Sequence, residues 1–302
     1  MTKHYLDPNK RHDAVLLFDV QDGNPNGDPD AGNLPRVDPE TMHGIVTDVC
    51  QKRKVRNFVD YARGKQPRFK IYVQEGAVLN AQNARAYLDE ANAIRAHLKG
   101  NDPNFKTEKG QPSDVTEKAR IWMCQNFYDV RMFGAVMSMG VNCGQVRGPL
   151  QFTFARSIDP ITPLDISITR MAVTKEEEKD KERTMGRKAM IPYGLYRSHV
   201  FFSPHPAQDT GVQPEDLEVF WDALLQMWEV DRSASRGMMA CRGLVIFSHD
   251  SPLGKAPAHQ LFERLRIQRK QGVATPRSFA DYVVSLDQND LPQGVHLSVL
   301  TL

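Results

Sequence analysis

Apolar and β-branched residues fill positions 14–20 (AVLLFDV) and stop abruptly at a loop of Asn, Asp, Gly and Pro. A dense apolar run that ends at turn residues predicts a central strand. Positions 45–62 lack Pro and Gly and set Val55, Phe58, Val59 and Ala62 on one stripe, which predicts a helix. Residues 68–74 (RFKIYVQ) alternate like a second strand, and 80–98 are Ala-rich and helical in pattern. A polar loop (100–114), a helix near 116–128 and a glycine-punctuated stretch (133–148) follow. Residues 151–157 (QFTFARS) alternate as a strand. Segments 166–174 and 190–203 look extended and are bridged by KEEEKDKERTMGRK, too charged to pack, so they predict a hairpin arm projecting from the body. The best helix spans 214–230. Pro214 opens it, acids sit early, and Leu217, Phe220, Trp221, Leu224, Leu225 and Trp228 share a face. Strands at 243–249 and 296–302 close the pattern.

Strand–helix–strand, repeated much later in the chain, predicts an α+β fold with a ferredoxin-like, RRM-type sheet carrying large insertions. No repeat or linker divides residues 1–302, so one domain is expected, with inserted segments near 76–130 and 160–192. Composition is that of an ordinary globular protein, 40% hydrophobic and 25% charged. The net charge of +2 means that a polyanion must be met by local clusters rather than a global field. Cys50, Cys124, Cys143 and Cys241 are scattered, which reads as reduced thiols in a cytoplasmic protein and not as a zinc site. No apolar run approaches the roughly 20 residues needed to cross a bilayer, and the opening MTKHYLDPNKRHD has no signal-like apolar core.

The loop at 22–33 contains hardly a side chain fit for a core, so it either ligates a cation or lets backbone approach a ligand. Asp22, Asn24, Asn26 and Gly27 match the start of an EF-hand, but Asn33 stands where the bidentate Glu belongs and no helix precedes. A metal-dependent nuclease built on Asp19, Asp22, Asp28, Asp30 and Asp38 is the rival reading, without a supporting His or Glu cluster. On the following helix Lys52 and Arg56 share a face, and with Arg36 they would line a groove. The glycines of 133–148 match neither a phosphate loop of the Walker type nor a dinucleotide fingerprint. Ser138, Asn142, Gln145 and Arg147 can still cradle a sugar–phosphate backbone. The arm's tip, 175–183, holds four cations and five anions and should not seek phosphate. Its flanks (Met171; Met185, Arg187, Lys188, Met190) pair apolar wedges with cations. The nine histidines are dispersed, His199 and His205 are expected at the surface, and no nucleophile–base pair is evident. RNP signatures are missing, so base stacking on the sheet is not expected.

Three strings, FDVQDGNPNGDPDAGNLPRVDPET, TDVCQKRKVRNF and MFGAVMSMGVNCGQVRGPLQFTFARS, closely resemble the backbone subunit of type I-C CRISPR Cascade, the Csd-two branch of the Cas-seven family. The resemblance covers about residues 12–250. It implies an RRM-like palm with fingers and a thumb-like hairpin, stacking in copies along one guide RNA (crRNA) as a helical filament. Each thumb would flip out a base and leave the segments between free to pair with target DNA. The implied partners are further copies of the chain and the guide-processing 5′-end, large and small subunits of the complex. The implied guide contacts are Asn24, Asn26, Arg36, Thr47, Lys52 and Arg56, then Ser138, Asn142, Gln145 and Arg147, and last Met185, Arg187 and Lys188. Type III relatives cut RNA with a loop aspartate. Type I relatives do not, so no catalytic residue, metal or cofactor is implied. Base pairing would supply specificity while the protein holds shape and phosphate.

Overall fold

Every residue of strand β1 (His12–Gly23) from His12 to Val20 is buried, because the sheet it centres is covered on both faces. The computed structural model describes residues 3–101, 104–172, 175–176 and 185–302. Two short strands, β2 (Gly27–Asp28) and β3 (Leu34–Pro35), pair within the loop after β1, and β4 (His43–Val46) leads into α1 (Asp48–Arg63). A helical segment follows: α2 (Leu79–Leu88), the small ladder β5 (Leu98–Lys99) with β6 (Lys106–Thr107), α3 (Ser113–Asn126) and α4 (Tyr128–Phe133). Hairpin β7 (Gly134–Met137) and β8 (Gly144–Arg147) leads to β9 (Leu150–Phe152) and β10 (Ala155–Pro160). Then come β11 (Leu164–Thr169), the 18-residue β12 (Met185–Phe202), α5 (Pro204–Thr210) and α6 (Pro214–Val230). The chain closes with β13 (Met238–His249), α7 (Ala258–Phe262), hairpin β14 (Leu265–Arg269) and β15 (Tyr282–Leu286), and β16 (Val295–Thr301).

The fold is mixed α+β around one antiparallel sheet, ordered β16-β13-β1-β12-β10-β4, with β9 and β11 also pairing β12. The two-residue strand period divides β1 between two cores. Ala14, Leu16, Phe18 and Val20 pack in the larger core, which includes Val55 and Val59 of α1 and Leu217, Phe220, Trp221, Leu224 and Trp228 of α6. Val15 and Leu17 pack with Val245, Phe247, Leu261, Phe262 and Leu265, beneath α7 and the β14–β15 hairpin. The helical segment keeps its own cluster, including Tyr87, Trp122, Met123, Phe127 and Val141. Among the described residues, no helix is long and apolar enough to cross a membrane.

Several expected elements differ. Residues 68–74 form no strand, and their one ladder contact is an isolated bridge, Lys70 to Phe127. The amides of Tyr72 and Val73 donate to the Asp129 carboxylate (2.7 and 3.0 Å), so a side chain replaces the partner strand. The helix expected at 45–62 starts only at Asp48. Thr47 is extended (φ −67°, ψ 154°) and its hydroxyl accepts from the Cys50 amide at 3.2 Å, while Ile45 and Val46 lie in β4. Its buried stripe is Gln51, Lys54, Val55 and Val59, whereas Ala62 is exposed. Lys54 pairs with Asp231, which also binds Arg236 at 2.8 Å, so the cation is drawn inward by an acid 177 residues away. The helix expected at 80–98 ends at Leu88, where Asp89 accepts from the Trp122 indole at 2.6 Å and from the Ala91 amide. His199 is half-buried and stacks on Phe262, with burial pushing its pKa down to about 4, whereas His205 is exposed.

One buried histidine has a measurable consequence. His12 is fully buried; its Nε2–H donates to the Asp7 carbonyl (2.9 Å), so Nδ1 accepts from the Ser248 hydroxyl (3.0 Å). Burial pushes its pKa down to about 4. The unfolded chain binds a proton near pH 6.5 that the folded chain refuses. Stability is therefore complete above pH 6.5 and falls as pH drops towards 4, by up to about 3 kcal/mol. Urea unfolding between pH 7 and 4.5 should show this loss, and His12→Gln should flatten the slope over that window. An unchanged slope in the variant would assign the acid sensitivity elsewhere.

Candidate nucleic-acid interface

The loop after β1 is folded against the chain itself. Asp22 sits at φ 49°, and a Cβ on Gly23 would meet the Arg236 carbonyl at 1.9 Å. The Asn24 amide donates to the Ser235 carbonyl (2.7 Å), and its side chain, 5% exposed, donates to the Asn33 carbonyl (2.7 Å). At Gly23 the close backbone approach is to residues 235–237 of the chain itself. Asn26 reaches the next element: its Oδ1 accepts from both the amide and the hydroxyl of Thr47, each at 3.0 Å. One side chain therefore locks the loop to the cap of α1. Arg36 pairs with Asp28 at 3.3 Å across the β2–β3 turn.

The loop's carboxylates do not gather around a point. Asp19 is held by Arg242 (2.8 Å) and Tyr193 (3.1 Å), and burial raises its pKa. Asp38 accepts from Arg156 at 3.0 Å, which lowers its pKa. Among the described residues, the group of His, Cys, Asp or Glu with ligand atoms close enough for one ion is His4, Asp250 and His296, none from this loop. Of these acids Asp19 is buried, and it is neutralised by Arg242.

Lys52 and Arg56 share a face of α1 as their spacing requires, and both stand over the Phe133 ring, 5.8 and 5.3 Å from its centroid. Both are also claimed by acids. Lys52 pairs with Asp48 at 3.0 Å, and Arg56 Nε donates to Asp129 at 2.8 Å. Asp129 is 1% exposed and already accepts from two amides, so Arg56 neutralises a buried carboxylate. Arg56 is a structural clamp more than an open phosphate ligand. Nothing in the pattern around residue 56 points to position 129.

Phe133 also connects this face to the β7–β8 hairpin. Gly134 lies opposite Arg147 in the ladder, and a Cβ on Gly134 (φ 78°) would meet the Val146 carbonyl at 2.4 Å. Ser138, Gln145 and Arg147 are exposed, and Arg147 makes no ion pair among the described residues. Asn142 instead builds the turn. Its Oδ1 accepts from the Gly144 amide (2.9 Å), its amide donates to Thr107 Oγ1 (3.2 Å), and its carbonyl accepts from Gln111 and Tyr87.

The arm is a ribbon of β11 and the first part of β12, with Leu164 opposite Met190 and Thr169 opposite Met185. Met185 is 70% exposed, Arg187 pairs with Asp165 at 3.2 Å, and Lys188 stands opposite Ile166. Most of the charged tip, 177–184, lies outside the described residues, as do 173–174. β12 runs on from the arm into the sheet, where Ile191 pairs with Gly23. Loop, α1 cap and arm root are therefore neighbours along one edge, and the hairpin joins them through Phe133. The sheet face opposite the helices packs against α7 and β14–β15.

A family model described as "CRISPR-associated protein Cas7" matches residues 10–287. The chain is 24% identical over 236 residues to a curated "CRISPR-associated protein Cas7" of Haloferax volcanii, an alignment covering 71% of this chain and 64% of that protein. It thus spans less than two thirds of that relative's length. In structure it is similar to a chain of a "CRISPR RNA-guided surveillance complex, pre-nicking", with TM-score 0.52 and 15% identity over 78% of each chain. A chain of another "CRISPR RNA-guided surveillance complex" has TM-score 0.45 and 16% identity, covering 82% of this chain and 73% of the other.

Proposed function

The chain belongs to the CRISPR-associated Cas7 family, and on that premise we propose that it is a non-catalytic, guide-RNA-binding backbone subunit of a type I-C surveillance complex. Copies stack along the guide and present it for pairing with target DNA. The other subunits named by the resemblance are its partners in a cytoplasmic assembly. The observation that carries this reading is the continuity of loop, helix cap and arm root along one edge. Arg147 on the hairpin and Lys188 on the arm add cations without an acidic partner among the described residues. Such an edge can follow a backbone without reading bases.

The sheet supports an RRM-like palm. Strands β13-β1-β12-β10, with α1 between β1 and β10 and α6 between β12 and β13, have the order of a ferredoxin-like sheet. Residues 76–130, which contain α2 and α3 and contribute to a separate core, then serve as fingers, and 160–192 as the thumb. Within the guide-contact set, Ser138, Gln145, Arg147, Met185 and Lys188 are the direct contacts, with Arg187 shared with Asp165. Asn24, Asn26, Arg36, Thr47 and Asn142 shape the groove, and Lys52 and Arg56, each paired with an acid, brace the helix beside it.

Purification tests the reading. The protein should emerge in a large assembly with co-purifying RNA, seen as a raised ratio of absorbance at 260 to 280 nm. A clean monomer that cleaves RNA or DNA with divalent metal, and loses that activity on Asp22→Ala or Asp28→Ala, would establish the nuclease alternative instead.

A further inference from the structure

Phe152 and Phe154 are two positions apart and should point to the same side of a strand. Phe152 is 9% exposed and packs edge-on against Phe133 and Phe220, whereas Phe154 is 54% exposed. The cause lies in the pairing with β12. Phe152 is opposite Val200 and Arg156 is opposite Arg197, so four steps on one strand meet three on the other. One residue is extra, which makes a bulge at Thr153–Phe154. Thr153 pins it: its amide donates to the His199 carbonyl (2.9 Å) and its hydroxyl accepts from the His199 amide (3.0 Å). Its carbonyl accepts from Gln51 Nε2 (3.1 Å) and Ser198 Oγ (3.2 Å). Bulges of this kind re-aim a side chain at a sheet margin. Here the device turns a phenylalanine out of the core into water.

The place to which it is turned matters. β10 pairs with β4 with Ala155 opposite Val46, so Phe154, the residue before Ala155, lies near Thr47, the residue after Val46. Thr47 caps α1 and is bonded to Asn26. Gln51, which helps to hold the bulge, is on the first turn of the same helix. The exposed residue thus lies near the junction of loop and helix cap. We propose that Phe154 is a stacking platform for a nucleobase of bound single-stranded RNA, with the Asn26–Thr47 edge alongside the sugar–phosphate backbone. This rests on the guide-binding reading above and adds to it a base contact that is indifferent to sequence, since every base has a π-face.

The test is titration of a fluorescein-labelled single-stranded RNA of mixed sequence, and of one with 2-aminopurine at alternate positions. Phe154→Ala and Phe154→Leu should each raise Kd about tenfold, and Phe154→Trp should stay within about twofold of the parent. The parent and the Trp variant should quench 2-aminopurine, and the Leu variant should not. Leu keeps apolar bulk, so a merely structural role would not separate it from Trp. Equal affinity and quenching in the Leu variant and the parent would overturn the proposal and leave the guide-binding reading standing. Loss of the large assembly with RNA affinity intact would also overturn it, in favour of a contact between copies. A parent protein that binds neither RNA would remove the guide-binding reading and this proposal with it.

Discussion

Asp216→Ala is expected to destabilise the protein by about 3–5 kcal/mol, the usual result of stranding a buried charge. The stranded group is Arg131, which is fully buried, and Asp216 is 1% exposed. Their contact is a two-pronged fork, Nη2 to Oδ1 at 2.6 Å and Nε to Oδ2 at 3.1 Å. Arg131 also donates to the carbonyls of Cys124 (2.6 Å) and Arg68 (2.9 Å), so its position is over-determined and it cannot follow water outward. Asp216 in turn accepts from the Gln213 amide (2.8 Å) in the capping box of α6 and from Arg68 at 3.3 Å. One carboxylate therefore joins α4, the 68–74 segment and the start of the longest core helix. Urea unfolding at pH 7 measures the loss. Arg131→Met combined with Asp216→Leu should cost clearly less than the sum of the single changes, because it leaves no orphan charge. A single-variant loss below about 1 kcal/mol, or full additivity, would show that water reaches the pair.

The second large effect concerns binding. Arg147→Glu together with Lys188→Glu should weaken binding of single-stranded RNA by more than tenfold at low salt. It should also reduce the slope of log K against log salt by about 1.4, or 0.7 for each lost phosphate contact. Both side chains lack an acidic partner among the described residues and neither lies in a core, so the melting temperature should hardly move. Arg56→Ala should behave oppositely. Freed from its cation, buried Asp129 should lower stability, with little change in salt slope in whatever remains folded. If Arg56→Ala changes the slope and the double reversal does not, the helix and not the hairpin and arm carries the phosphate contacts.

These contrasts show how far the sequence reaches. β1 and α6 are legible because an apolar run and a 3.6-residue stripe declare burial within a few residues. The pairing of β11 with β12 is legible because two extended patterns flank a charged run in the sequence. Lys52 and Arg56, four apart, share one face as helical spacing requires, and the Asp48–Lys52 pair lies within a single turn. Residues 68–74 misled because alternation reports which side chains turn inward. It cannot report whether the amides find a strand or the carboxylate of Asp129.

By itself the sequence determined the α+β class, the central strand, the best helix and the family, all through short-range periodicity or contiguous strings. Only the tertiary structure decided which polar groups remain available to a partner. Arg56, Asn24 and Asn142 look like surface ligands in the string, and each is spent on a partner elsewhere in the fold. Phe154, two residues from buried Phe152, is turned outward by one extra residue in a ladder with a strand some 45 positions away. Apolar burial is largely a local property of a pattern. Satisfying a charge or a hydrogen-bonding group depends on what the rest of the chain brings within about 3 Å of it.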